Sequence, residues 1–299
     1  MWSTLLKLCL VSVTVSRLQA RVLLEPSAFA SYDDGVARNT FFPLAAAAYS
    51  SNPQTCLSAK FGNAQLRRQL NVKCDATKED ICSAYTAVLV DNQAIVLSFR
   101  GTQGFLQLIE EADKSVFQSQ TAWIAGGKVS KYFGDAFNTL WTSGMKDDVN
   151  ALLQKYPTFE VWVTGHSLGG SMASLAASYI VANKIKSGDK VKLISYGQPR
   201  TGDSAWAIAH DGQMQYSYRI THNRDVVPHI PNEGFEDYKH HKAEVFYKES
   251  MSSGASFKVC SSADESNDCS NGLLITTSVS DHLTYFEKDV SEWGEAGCN

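Results

Sequence analysis

Ser167 stands at the centre of Gly165-His166-Ser167-Leu168-Gly169. The apolar run Val161–Val163 precedes it, and an Ala- and Ser-bearing stretch from Ser171 to Asn183 follows. The first run predicts a strand and the second a helix, which sets the serine in a strand–turn–helix. A turn this tight needs flanks nearly free of side chains, which Gly165 and Gly169 supply. It should push the hydroxyl into the open and aim the N–H groups of the following helix at it. A Gly-rich turn with an idle serine is the plainer reading of so short a motif, so the partners decide.

A serine hydroxyl is a poor nucleophile at neutral pH; it needs a base, and the base needs an orienting group. Asp225 follows in His222-Asn223-Arg224-Asp225-Val226-Val227-Pro228, just past a predicted strand, and His282 follows in Ser280–Phe286. Ser, then Asp, then His is one of the chain orders in which such a triad occurs. Seven histidines compete for the role of base. His166 adjoins the serine and should point away from it. His210, His222 and His229 come before or close to Asp225, while His240 and His241 read as surface candidates. His282 is late and loop-borne, and is the candidate base. The oxyanion of a tetrahedral intermediate also needs donors. The N–H of Leu168 is one candidate. Thr102, with N–H and hydroxyl just past Ser98-Phe99-Arg100-Gly101, is the other; a simple strand-ending turn is its bland alternative.

These residues need a scaffold to bring them together. An Ala-rich helix is expected over residues 36–50, turned or kinked near Pro43. Ala84–Val90 and Ala94–Phe99 read as a hairpin closed by Asp91-Asn92-Gln93. Gln103 to about Gln120 is amphipathic, either a surface helix or a lid whose apolar side covers the site in water. Val129 to Tyr156 has helical period and ends at Pro157. Val191–Tyr196, Tyr216–Thr221 and Ala243–Tyr247 read as strands, the last near a sheet edge. Strands alternating with helices predict an α/β fold with a mostly parallel central sheet, flanking helices and a possible lid. Catalytic groups belong at the carboxyl ends of its strands.

The chain has 299 residues, 44% hydrophobic and 19% charged, with a net charge of −4. That balance fits a globular, mildly acidic protein and gives no support to a nucleic-acid partner. Leu5 to Val15 is nearly all apolar, too short to span a bilayer, and ends near Leu18-Gln19-Ala20. Residues 1–20 therefore read as a secretory signal peptide and 21–299 as one domain, with no transmembrane segment. Cys9 leaves with the leader and six cysteines remain. Fifteen pairings of six are possible. Short loops favour Cys74 with Cys82 and Cys260 with Cys269, leaving Cys56 for Cys298. No C-x-x-C occurs, and no metal site or cofactor is expected. No N-x-[ST] sequon is present either.

Five stretches together carry a resemblance: Ser98–Thr102, Thr164–Gly170, Tyr196–Asp203, Asn223–Pro228 and Asp281–Phe286. The chain resembles the lipase class 3 family, the fungal triacylglycerol lipases, and is most similar to secreted, cysteine-rich nematode members. The resemblance implies an α/β-hydrolase fold, with Ser167 as nucleophile, Asp225 as orienter, His282 as base, and Thr102 and Leu168 at the oxyanion hole. It implies a similar disulfide pattern, an acylglycerol or other lipid ester as substrate, and contact with a lipid interface. One departure stands out. The fungal members carry Trp in a lid soon after the oxyanion residue, whereas here the first Trp after Thr102 is Trp123. A phospholipase, a feruloyl-type esterase and a non-catalytic lipid-binding protein on the same scaffold are the alternatives. An imidazole base predicts loss of activity on the acid side of about pH 6 to 7.

Overall fold

Ala94–Phe99, apolar at every position but Ser98 and buried throughout, is a strand covered on both faces. Ile95, Leu97 and Phe99 pack on one side with Val161, Val163, Val191 and Leu193. Ala94 and Val96 pack on the other with Trp162, Ile194 and Tyr196. The structure is a computed structural model that describes residues 30–74, 81–101 and 116–299. Its central sheet has eight strands: β1 (Ala64–Lys73), β2 (Ile81–Leu89), β3 (Ala94–Phe99), β4 (Glu160–His166), β5 (Val191–Tyr196), β6 (Tyr216–His222), β7 (Glu244–Tyr247) and β8 (Lys258–Cys260). Their order across the sheet is their order along the chain. Strands β3 to β7 run parallel. The β1–β2–β3 edge and the β7–β8 edge are antiparallel.

Helices cover both faces. On the Leu97 side lie α3 (Lys131–Leu140), α4 (Lys146–Lys155) and α5 (Leu168–Ala182). On the Val96 side lies α1, residues 34–47, beside α2 (Pro53–Lys60). The mostly parallel sheet with flanking helices is therefore the architecture expected, and the β2–β3 hairpin turns where expected. The Pro43 expectation is met in a particular form. A π-helical turn, Ala37–Phe41, interrupts α1, and the N–H of Phe42 reaches back to the carbonyl of Ala37. Proline cannot donate to a carbonyl four residues back, and the wider turn just upstream absorbs that gap.

Three expectations change. Residues 129–156 are not one helix. Val129 belongs to a short strand, Lys128–Ser130, and the Ser130 hydroxyl accepts the N–H of Phe133 to start α3. The break before α4 falls at Gly144, with φ 132°. A side chain there would meet the Arg68 guanidinium at 2.7 Å. That guanidinium holds the buried Asp148 of α4 through two hydrogen bonds of 2.9 and 3.0 Å, so the break lets β1 dock on the helix. Second, two edge strands join the sheet without an apolar run to announce them: β1 is mostly polar, and β8 is three residues long. Third, most of the amphipathic run, 103–115, lies outside the described residues, as does Thr102. Its tail is no surface helix: Val116 and Phe117 are buried, and Phe117 packs edge-on to Phe133 and Tyr238.

The three disulfides are Cys56–Cys298, Cys74–Cys82 and Cys260–Cys269, as expected. They close 242, 8 and 9 residues of sequence separation. In the chain-entropy account the long closure contributes on the order of 5 kcal/mol and the short ones about 3. Replacing Cys56 and Cys298 by serine is accordingly expected to lower the melting temperature more than replacing Cys260 and Cys269. Scanning calorimetry of the two double variants decides, and equal losses contradict the ranking.

Candidate active site

Ser167 joins β4 to α5 with φ 60° and ψ −134°, a conformation costly for any residue with a Cβ. The surrounding crossing enforces it. A Cβ on Gly165 would stand 2.3 Å from the carbonyl oxygen of Gly169, and one on Gly169 would stand 2.2 Å from that of Phe99. Strand β3, strand β4 and helix α5 thus touch through bare backbone. The N–H of Ser167 donates to Tyr196 O at 2.9 Å, and its carbonyl accepts from Gly170. Contrary to the expectation of an open hydroxyl, Ser167 is 2% exposed. Its Oγ makes no hydrogen bond among the described residues. The N–H of Leu168 opens α5 and has no carbonyl within the helix to reach, so it is free in principle to meet an anion.

Asp225 lies past β6 and is buried. Its backbone bridges to Ser278, which caps the single helical turn Val279–Leu283 carrying His282. Two further hydrogen bonds seat that turn, one along the main chain, Ser278 N–H to Arg224 O at 2.9 Å, and one from the Arg224 N–H to the Asp281 side-chain carboxylate at 3.1 Å. His282 Nδ1 stands 3.0 Å from both carboxylate oxygens of Asp225. The Tyr285 hydroxyl donates to Oδ2 at 2.7 Å and the Val227 N–H to Oδ1 at 2.9 Å. Burial pushes the Asp225 carboxyl up, but the His282 charge and hydrogen bond, then Tyr285 and Val227, outweigh it and hold it below the ordinary carboxylate range. An ionised Asp225 holds the proton of His282 on Nδ1, which leaves Nε2 as the acceptor.

Gly197, with φ 55°, lies against this pair. A Cβ there would be 2.8 Å from His282 Nδ1 and 2.9 Å from Asp225 Oδ2. Since Gly197 follows Tyr196, whose carbonyl holds Ser167, the end of β5 abuts all three candidates. The structure therefore brings Ser167, Asp225, His282 and Leu168 to one end of the parallel strands.

Sequence reasoning missed Tyr285, Gly197 and His166. Tyr285 and Gly197 sit inside stretches that carry the resemblance, but nothing in their local pattern signals contact with Asp225. His166 points away from the serine and into the interior, stacked on His282 with ring centroids 4.5 Å apart. His240 and His241 are buried rather than surface residues. His241 stacks on His210 at 3.9 Å between centroids. With Asp211 these two form a group of possible metal ligands whose donor atoms lie within 4.8 Å of one another. The His241 nitrogens already face Lys242 O and Gln198 Nε2, and Lys242 Nζ lies 3.9 Å from the Asp211 carboxylate. Stacked neutral rings beside a cation suit core packing better than a metal.

The chain matches the family model described as lipase (class 3) over residues 96–235. It is 30% identical to a Caenorhabditis elegans lipase, with 90% of this chain and 84% of that protein covered. It is 33% identical to a Rhizomucor miehei lipase over 72% of this chain and 61% of that protein. The solved structure of Rhizomucor miehei triacylglyceride lipase superposes with TM-score 0.73 at 26% identity, covering 87% of this chain and 97% of that one. A lipase structure from Rhizopus microsporus var. chinensis gives 0.75 at 28% identity, covering 88% and 91%. These likenesses give the sheet-and-helix architecture its name, the α/β-hydrolase fold.

Burial depresses several histidines. His166 and His210 are each pushed down to about 3, by burial first and then by the neighbouring charges of His282 and Arg219 respectively. His240 and His241 also lie well below the ordinary imidazole value, again mainly through burial. Between about pH 6.5 and 3 the unfolded chain binds protons at these sites that the folded chain refuses, so stability falls as pH falls. The melting temperature should drop by about 5 °C or more between pH 7 and pH 5. A flat profile over that window, followed by circular dichroism, contradicts the buried neutral histidines.

Proposed function

We propose that this chain, which belongs to the lipase (class 3) family and is a serine hydrolase, is secreted and hydrolyses the ester bonds of acylglycerols. The observation that carries the reading is the buried Asp225–His282 pair, 3.0 Å apart, beside a serine held in a strained strand-to-helix turn. The likeness to a triacylglyceride lipase supports the substrate class. Three disulfides and the apolar leader support secretion.

In this reading Ser167 Oγ attacks the ester carbonyl carbon while His282 Nε2 takes its proton. Asp225 keeps His282 in the Nδ1–H tautomer and stabilises the imidazolium. The Leu168 N–H, at the start of α5, donates to the carbonyl oxygen as it gains negative charge, with Thr102 as the second donor. The imidazolium then protonates the departing alcohol. A serine ester of the fatty acid remains, and water activated by the same imidazole releases the acid. Every proton moves between side chains of this chain, substrate and water.

Ser167→Ala should keep the fold and lower turnover of emulsified triglyceride by about 10³-fold or more. Asp225→Asn should cost roughly 10³ to 10⁴ through the wrong tautomer. Wild-type turnover in folded Ser167→Ala ends the assignment. A substrate panel tests the class: faster hydrolysis of phospholipid than of triglyceride redirects it to a phospholipase.

A further inference from the structure

Resting on the triad reading above, we propose that His166 is a positioning residue: it donates its Nε2–H to the main-chain carbonyl of His282, and Tyr49 fixes it in the tautomer that can do so. His166 Nε2 lies 2.8 Å from His282 O, and Nδ1 lies 2.7 Å from the Tyr49 hydroxyl. A carbonyl only accepts, so Nε2 carries the hydrogen. In a neutral ring Nδ1 is then the acceptor, and the Tyr49 O–H donates to it. The ring is 3% exposed, and burial keeps it neutral. Tyr49 and His166 are thus paired through two distinct roles, neither of which an apolar aromatic reproduces.

The consequence lies in what the contact fixes. His282 rides on a single helical turn, and five residues are too few to be rigid alone. The His282 carbonyl and ring are both tied to His166, one by the hydrogen bond and the other by stacking at 4.5 Å. The ring can then point Nδ1 at Asp225 without searching for it, and misplacement by about 1 Å is enough to cost roughly 10²-fold in rate. Tyr49 extends the tie to the other side of the site. Gly101, the residue before Thr102, packs so close that a Cβ on it would stand 2.5 Å from the Tyr49 hydroxyl and 2.9 Å from Ser167 Cβ. The titratable groups that face His166 are Tyr49, His282, Asp225 and Tyr285. A neutral His166 keeps a second positive charge away from the imidazolium that forms during the reaction.

The test uses the full secreted chain, a soluble short-chain ester and a fluorophosphonate probe. His166→Phe keeps a ring for stacking but loses the donor, and His166→Gln restores a donor amide. Folding is checked by melting temperature and circular dichroism. Expected for His166→Phe is a fall in kcat of about 10-fold or more with KM within about 2-fold, together with slower labelling of Ser167. The acid limb of kcat/KM moves to lower pH, because the weakened Asp225 contact stabilises the imidazolium less. His166→Gln recovers most of the rate and the pH profile. A folded His166→Phe with wild-type kcat and pH profile overturns the proposal, and so does a His166→Gln no better than His166→Phe. If His166→Phe does not fold, Tyr49→Phe carries the same readouts, and an unchanged kcat and acid limb there overturns it equally. Wild-type protein that fails to label at Ser167 removes the triad reading itself, whereas labelled wild type with indifferent His166 variants removes only this inference.

Discussion

Everything at the site follows from a backbone crossing that leaves no room for side chains. Helix α5 leaves β4 so abruptly that Gly165 touches Gly169 and Gly169 touches Phe99 of β3. Between them Ser167, the candidate nucleophile, is held at φ 60°. Such strain is sustained only where the surroundings over-determine it. Here they are a parallel sheet buried on both faces and a 15-residue helix packed along it. The fold places the Ser167 hydroxyl by denying its backbone any relaxed alternative.

The imidazole side is built on the opposite principle. His282 sits on a five-residue turn with little intrinsic stability, and contacts from several segments hold it. The β6 loop supplies Asp225 and two main-chain bonds, the end of β5 supplies Gly197, and β4 supplies His166. Asp225 itself accepts from three donors, so a buried carboxylate remains ionised despite the cost of its burial. The serine is constrained locally, while the histidine is constrained by the assembled protein.

That contrast explains what was legible in the sequence. The elbow is a local device, written in glycines a few residues apart, and Ser167 and Leu168 could be named from it. Asp225 and His282 were legible through chain order and the ends of predicted strands. Strands β3, β4 and β5 announced themselves by apolar runs, as strands of a sheet buried on both faces do, while β6 showed instead as an alternation of Tyr216, Tyr218 and Ile220 with Ser217, Arg219 and Thr221. Strand β1 did not, since Arg67 and Arg68 interrupt it and find their partner, Asp148, on a helix about 80 residues on. His240 and His241 looked exposed because imidazole is polar. Burial is affordable for a neutral ring that stacks and finds hydrogen bonds, and neither property shows in sequence. Tyr285, Gly197 and His166 were illegible for the same reason: each acts through a contact more than 50 residues away in the chain.

The disulfide between Cys56 and Cys298 reaches further than its local geometry suggests. Only sixteen residues along the chain from His282, it rivets the segment carrying that histidine to α2, within the core on the Val96 side of the sheet. Thermal unzipping of this tail would otherwise carry the imidazole away from its carboxylate while the sheet stayed intact. With the rivet in place, the activity and the body of the domain perish together or not at all.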